Sequence, residues 1–381
     1  MKTHYSTIII GAGSVGMATG YYLGEKGIDT LLLDTNTPPH ENGSHHGQTR
    51  LIRHAVGEGE NYIPLILRAQ ELWNELEEKS DKKLFYKTGT VLAGAKDSEF
   101  INKSQDVARK FSLNLEKLSL KEFEENMPFF SIPKNFTGYY EPSSGVLLNE
   151  KIIEAYKTLI KKQNVHFQPD SKVNNITPSL KGNIVETDNQ TYYADKVIVT
   201  AGAWIKQFTD QLNLNLPIQT VRKTFGWFST KNSIYTHLHF PCFYFNFENQ
   251  KYYGFPSING SGIKIGRNDS EQNIYPDDMK NDFGKYKRDK ADLELFAKKY
   301  IPKISDYFNY GKACMITKTP DKDFIIDKHP YFDNIIIAGG FSGHGFKYSS
   351  VIGEILRDLI MEKKIDFDIS PFSITRASLI S

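Results

Sequence analysis

Short apolar runs recur at residues 7–10, 31–33, 195–200 and 334–338, and each keeps its apolar positions together instead of alternating them with polar ones. Unbroken runs of this length, bounded by turn residues, predict strands buried on both faces. Three of them lead into small-residue turns: Gly11-x-Gly13-x-x-Gly16, Ala201-Gly202-Ala203-Trp204 and Gly339-Gly340-x-x-Gly343-x-Gly345. Helical spacing appears elsewhere, at Ile63, Ile66, Trp73 and Leu76, along the apolar side of 149–162, and again at 351–360. Ser119 and Glu122 form a capping-box pair that opens a short helix. Residues 87–95 read as a strand, and 165–168, 173–177 and 183–187 as a small antiparallel insertion.

From 221 to 316 the pattern changes. Strand-like segments at 223–228, 242–247, 251–255 and 262–266 are rich in Phe and Tyr, and a helix at 291–300 interrupts them. The prediction is an α/β fold with a Rossmann-like cofactor domain assembled from three segments, 1–86, 150–218 and 315–381. An antiparallel-sheet substrate domain would take 87–149 and 219–314. Domains interleaved in this way fold as one unit, and a cleft between them is the expected site.

Composition narrows the picture. At 381 residues the chain can bury a large core. Its 47 basic and 45 acidic residues argue against nucleic acid as a general partner. Only Cys242 and Cys314 are present, too few for a disulfide framework, which predicts a reducing, cytoplasmic setting. Residues 6–23 are uncharged like a signal peptide, but their glycines and strand start mark a phosphate loop. Charges interrupt the other apolar runs well short of a membrane span.

The first turn carries chemistry. Gly11 permits the tight turn, Gly13 lets a pyrophosphate reach the backbone, Gly16 lets helix pack on strand, and the helix N-terminus attracts phosphate charge. Asp34, at the end of the second run, is placed to accept a ribose hydroxyl. NAD and FAD share this fingerprint. The late glycine-rich turns favour an extended cofactor, whereas a nicotinamide dehydrogenase would use the first turn alone.

Residues 43–55, from Gly43 through His45, His46, Thr49, Arg50 and Arg53, resemble the monomeric sarcosine oxidases and N-methyltryptophan oxidases. So do Cys314 through Asp321, the segment 324–327, and Gly340 through Lys347. The likeness spans essentially the whole chain. It implies a monomeric flavoenzyme that oxidises small secondary amino acids with oxygen, its cofactor domain holding FAD through a thioether from Cys314 to the flavin 8α-methyl. It further implies that Lys264 activates oxygen beside the flavin, with Arg50 and His46 in the same catalytic group. Arg53 and Lys347 would hold the substrate carboxylate, with Tyr253 in the pocket. His45, Thr49, Val173, Gly202, Trp204, Gly340, Gly343, Gly345 and Lys347 would contact the cofactor.

Plain packing competes with several of these roles. Cys314 alone reads as a buried thiol, Lys264 as a solvated strand lysine, Tyr253 as an aromatic core residue and Val173 as a strand valine. The histidine pair has no ligand spacing to suggest a metal. The chain departs from the resembled pattern at Ile316, where a tyrosine is usual, and at Asn268, where a histidine is usual. Strand alternation puts Ile316 on the side of Cys314 and Asn268 on the side of Lys264, so both should face the pocket. A larger N-alkyl or cyclic imino acid, or a glycated amino acid, is then the alternative substrate.

Overall fold

The computed structural model describes residues 2–380 apart from 231, 270–271, 280–282 and 305–306. Its first sheet is built on His4–Ile10, which pairs in parallel with Thr30–Leu33 on one side and Thr191–Val199 on the other. The free edge of Thr191–Val199 is shared. Residues up to Ala194 take the antiparallel hairpin Val173–Ser179 and Gly182–Thr187, and Val197 onward takes Ile335–Gly339 in parallel.

Both faces of this sheet are covered, as the unbroken apolar runs require. Ile9, Leu32, Ile198 and Ile336 point to the helices Ser14–Glu25, Tyr62–Ser80 and Ser349–Ile360. Ile8, Ile10, Leu31, Leu33 and Val197 pack on the opposite side with Ile205 and Phe208. Each such side chain contributes about 1.5–3 kcal/mol by leaving water. The phosphate-loop glycines earn their places sterically: Gly11 has φ +97°, and a Cβ on Gly16 would lie 1.9 Å from the Gly11 carbonyl oxygen.

Val165–Gln168 does not belong to a small insertion; it pairs in parallel with Thr30–Leu33 and forms the edge of the main sheet. A four-residue, half-buried edge strand carries no local mark of its partner.

Among the described residues the second sheet has nine strands and is mixed. Gln219–Phe228, Ile263–Arg267, Gln250–Phe255 and Cys242–Phe247 run antiparallel in succession, but Thr90–Ala95 joins Cys242–Phe247 in parallel. Phe136–Glu141 and Glu116–Leu118 extend it. One face packs an aromatic core of Phe130, Phe240, Phe243, Phe245 and Tyr252 against Phe296 of the helix Arg288–Tyr300. Phe308–Lys318 pairs with Gln219–Phe228 along its whole length and so runs through the expected break at 314/315. The Ser119–Glu122 capping box is present, with Glu122 N to Ser119 Oγ at 3.2 Å and Ser119 N to Glu122 Oε2 at 2.8 Å.

Candidate active site

The carboxyl ends of the parallel strands and one face of the mixed sheet enclose a cavity of about 570 Å³. Gly11, Gly13, Asp34, His45, Arg50, Val173, Gly202, Trp204 and Cys314 line it, as do Arg53, Tyr253, Asn268, Ile316, Gly343, Gly345 and Lys347. At the phosphate loop the nearest atom to a Cβ on Gly13 would be His45 Nδ1 at 3.7 Å, which leaves the backbone open to a close ligand. Asp34 braces the loop by accepting Ala12 N at 2.7 Å and Asn36 N at 2.9 Å while still reaching the cavity. Trp204 is held by a bond from its indole N–H to Asp277, another lining residue, at 2.7 Å.

Five expected residues stand behind the wall. Gly16 packs under the loop and Gly340 under the late turn, where its φ is +61°. His46 and Thr49 are buried within the loop 38–50, and Lys264 is buried against it. Burial and the nearby Arg50 charge push the His46 imidazole down to about 3, so it is neutral at physiological pH. Lys264 donates to Gly47 O at 2.7 Å and Thr49 O at 3.1 Å, with its ammonium 4.3 Å from the Phe225 ring centre. Burial and the Arg50 charge lower its affinity for a proton well below the ordinary lysine value. Arg50 closes the same loop by donating to Ser44 O, His46 O and Thr49 O.

Cys314 sits in the wall opposite Lys223 on the paired strand. Burial raises its thiol pKa, and the charges of Arg50, Lys264 and Lys223 oppose that rise. Lys223 also lines the cavity and donates to the Asn268 carbonyl. Ile316 lies against the late turn, 2.9 Å from where a Gly343 Cβ would be, and Asn268 Oδ1 lies 3.8 Å from the same point. The two departures from the resembled pattern thus meet at one corner of the cavity.

The sequence reading missed Glu58 and Tyr244. Arg53 Nη2 and Lys347 Nζ converge on Glu58 Oε1, at 3.5 and 3.3 Å. Burial opposes ionisation of Glu58, but Lys347 and Arg53 override it and hold its pKa below the usual carboxylate range. Burial likewise lowers Lys347 to about 8, against the pull of Glu58. Arg53 also rests on the Tyr244 ring, 5.1 Å from its centre, and the Tyr244 hydroxyl is 3.4 Å from Asn268 Nδ2. Glu58 lies between glycines five residues past Arg53, a weak signal, and Tyr244 is one of several aromatics in its strand.

A cofactor-sized cavity at the carboxyl ends of a doubly covered parallel sheet, with a phosphate loop at one end, defines a dinucleotide-binding protein. Residues 6–359 match the FAD dependent oxidoreductase (DAO) family, and the chain belongs to it. That membership decides between the two cofactors in favour of FAD, and the enzyme is a flavoprotein oxidoreductase. The chain is 44% identical over 381 residues to monomeric sarcosine oxidase of Bacillus sp. (strain B-0618), covering all of this chain and 98% of that one. It is 40% identical over 374 residues to N-methyl-L-tryptophan oxidase of Escherichia coli O157:H7, covering 98% and 99%. Among solved structures, NikD, an unusual amino acid oxidase essential for nikkomycin biosynthesis, shares the fold with a TM-score of 0.87 at 21% identity, covering 98% of each chain. Glycine oxidase from Geobacillus kaustophilus does so with a TM-score of 0.83 at 18% identity, covering 98% and 99%. Among the described residues no cluster could hold a metal ion, and no helix is long and apolar enough to cross a membrane.

Proposed function

We propose that this enzyme oxidises secondary amino acids, as its sarcosine oxidase and N-methyltryptophan oxidase relatives are named for doing, with FAD linked covalently to Cys314. The observation that carries this reading is the convergence of Arg53 and Lys347 on a single carboxylate inside the cofactor cavity. A guanidinium fork and an ammonium fix an amino acid's carboxylate and leave its amine to approach the flavin. Held by Gly11, Gly13, Asp34 and Cys314, FAD would supply a hydride acceptor for the carbon next to the amine nitrogen, leaving the substrate as an imine, and an electron donor to oxygen, giving hydrogen peroxide. Water then hydrolyses the imine, and the chain supplies orientation and charge without a covalent nucleophile toward substrate.

Lys264, held behind the cavity wall by the Gly47 and Thr49 carbonyls, is assigned to oxygen reduction, and the Cys314 thiol in the cavity wall is the attachment point. Two cysteines are too few for a disulfide framework, which supports a reducing, cytoplasmic setting, and the Bacillus relative's name supports a monomer. The test is anaerobic addition of a panel of secondary amino acids to the yellow protein. Bleaching by at least one is expected, and bleaching by none would leave a flavoprotein of another activity. Acid precipitation tests the link: the pellet should stay yellow, and Cys314→Ser should release its flavin.

A further inference from the structure

Behind the carboxylate clamp lies a second buried carboxyl group. Glu141, at the end of Phe136–Glu141, is fully buried, 0% exposed. Its Oε1 accepts His54 N at 2.5 Å and faces His54 Nδ1 at 3.0 Å, and its Oε2 accepts Ala55 N at 3.3 Å. These groups belong to the two residues that follow Arg53. Ala55 is then held from both sides, because its carbonyl accepts Arg53 Nη1 at 2.9 Å. The turn is closed by Val56 N to His54 O at 2.8 Å. Glu141 is itself anchored in the mixed sheet, paired with Thr90 and with its carbonyl 2.7 Å from the Ser144 hydroxyl.

We propose that Glu141 is a positioning residue for the clamp: acting through Ala55, it sets the Arg53 guanidinium where it meets a substrate carboxylate. The inference rests on the reading of Arg53 as a carboxylate ligand. It explains why a carboxyl group that touches no substrate is buried between the mixed sheet and the segment that carries Arg53. An ionised carboxylate accepts on both oxygens and can serve all three donors. An amide of the same size has one acceptor oxygen, and its NH₂ would face a backbone N–H. The turn would loosen on one side, and Arg53 would lose the fixed carbonyl that aims it.

The experiment is anaerobic flavin reduction of the holoenzyme by an N-methyl amino acid and by the matching secondary amine without a carboxylate. Glu141→Gln should raise the Kd of the amino acid about tenfold or more, the scale of a hydrogen bond to a charged group. The limiting reduction rate should stay within about twofold, and the Kd of the plain amine should not move. In an Arg53→Ala background Glu141→Gln should add nothing, since two residues acting through one contact are not additive. Glu141→Asp, which keeps both acceptor oxygens, should recover part of the affinity. Equal loss for both amines, or additive losses in the double variant, would overturn the proposal. So would failure of both Glu141 variants to give a folded yellow protein, which would assign the residue to folding. If Arg53→Ala itself left amino-acid affinity unchanged, the reading of the clamp would fail instead.

Discussion

Two side chains at the corner formed by Ile316 and Asn268 bear on substrate choice. Isoleucine is smaller than tyrosine and has no hydroxyl, and asparagine carries no charge, so that corner is roomier and less polarising than the resembled pattern implies. A larger N-alkyl or cyclic amino acid should therefore show a higher kcat/KM than sarcosine, by a graded margin, since a methylene in an apolar pocket is worth about 1–3 kcal/mol. A substrate panel led by sarcosine would reject this. Lys347 gives a pH signature. Its ammonium, lowered to about 8, is charged below that pH and neutral above it, so the clamp loses one of its two cations as pH rises. Affinity for a simple carboxylate such as acetate, read from the flavin absorbance, should fall above about pH 8 and be flat below it. Lys347→Met should remove that step. Lys264→Met should still be reduced by substrate yet reoxidise about 10²–10³ more slowly, the usual cost of removing one positioned charge. Stopped-flow reoxidation at the parent rate would reject the role.

At the scale of elements, the contact between the first helix and the last helix of the Rossmann-like sheet decides how the phosphate loop sits. Ser14–Glu25 begins at the loop, and Ser349–Ile360 begins just after Lys347. The helices touch where Gly353 meets Ala18: a Cβ on Gly353 would lie 2.7 Å from Ala18 Cβ and 2.8 Å from its carbonyl carbon. Backbone lies too close for a rotamer change to relieve the clash. Gly353→Ala should cost about 1–3 kcal/mol, the scale of overpacking, and lower Tm. Because the same shift moves the loop and Lys347 apart, the variant should also bind FAD less fully. An unchanged Tm would show that the pair can slide without loss.

At the scale of the molecule, the Rossmann-like sheet and the mixed sheet share one chain path several times over. Phe308–Lys318 lies wholly in the mixed sheet, yet Ser342 N bonds to its Thr317 carbonyl at 2.8 Å. Arg53, Cys314 and Lys347 come from segments of both halves, so the cavity exists only when both are folded. Unfolding should be a single cooperative transition by calorimetry and by flavin fluorescence alike. Two resolved transitions would mean that one sheet survives without the other.

Much of this was legible in local sequence. The buried strands, the phosphate loop, Asp34, the Ser119–Glu122 cap and the cofactor-lining turns each depend on residues a few positions apart, because steric limits on the backbone and the need to satisfy its polar groups act at short range. The resemblance placed Arg53 and Lys347 together, and the structure brings them to one point. Tertiary structure alone decided the rest. It gave Val165–Gln168 to the main sheet and joined Thr90–Ala95 to Cys242–Phe247 in parallel, since a strand's pattern records which faces are buried and not which strand lies beside it. It put His46, Thr49 and Lys264 behind the cavity wall, and it set Glu58 between the two cations and Glu141 behind them. Those placements follow from burial and charge balance among segments far apart in the chain, and that balance is struck only when the whole chain has packed.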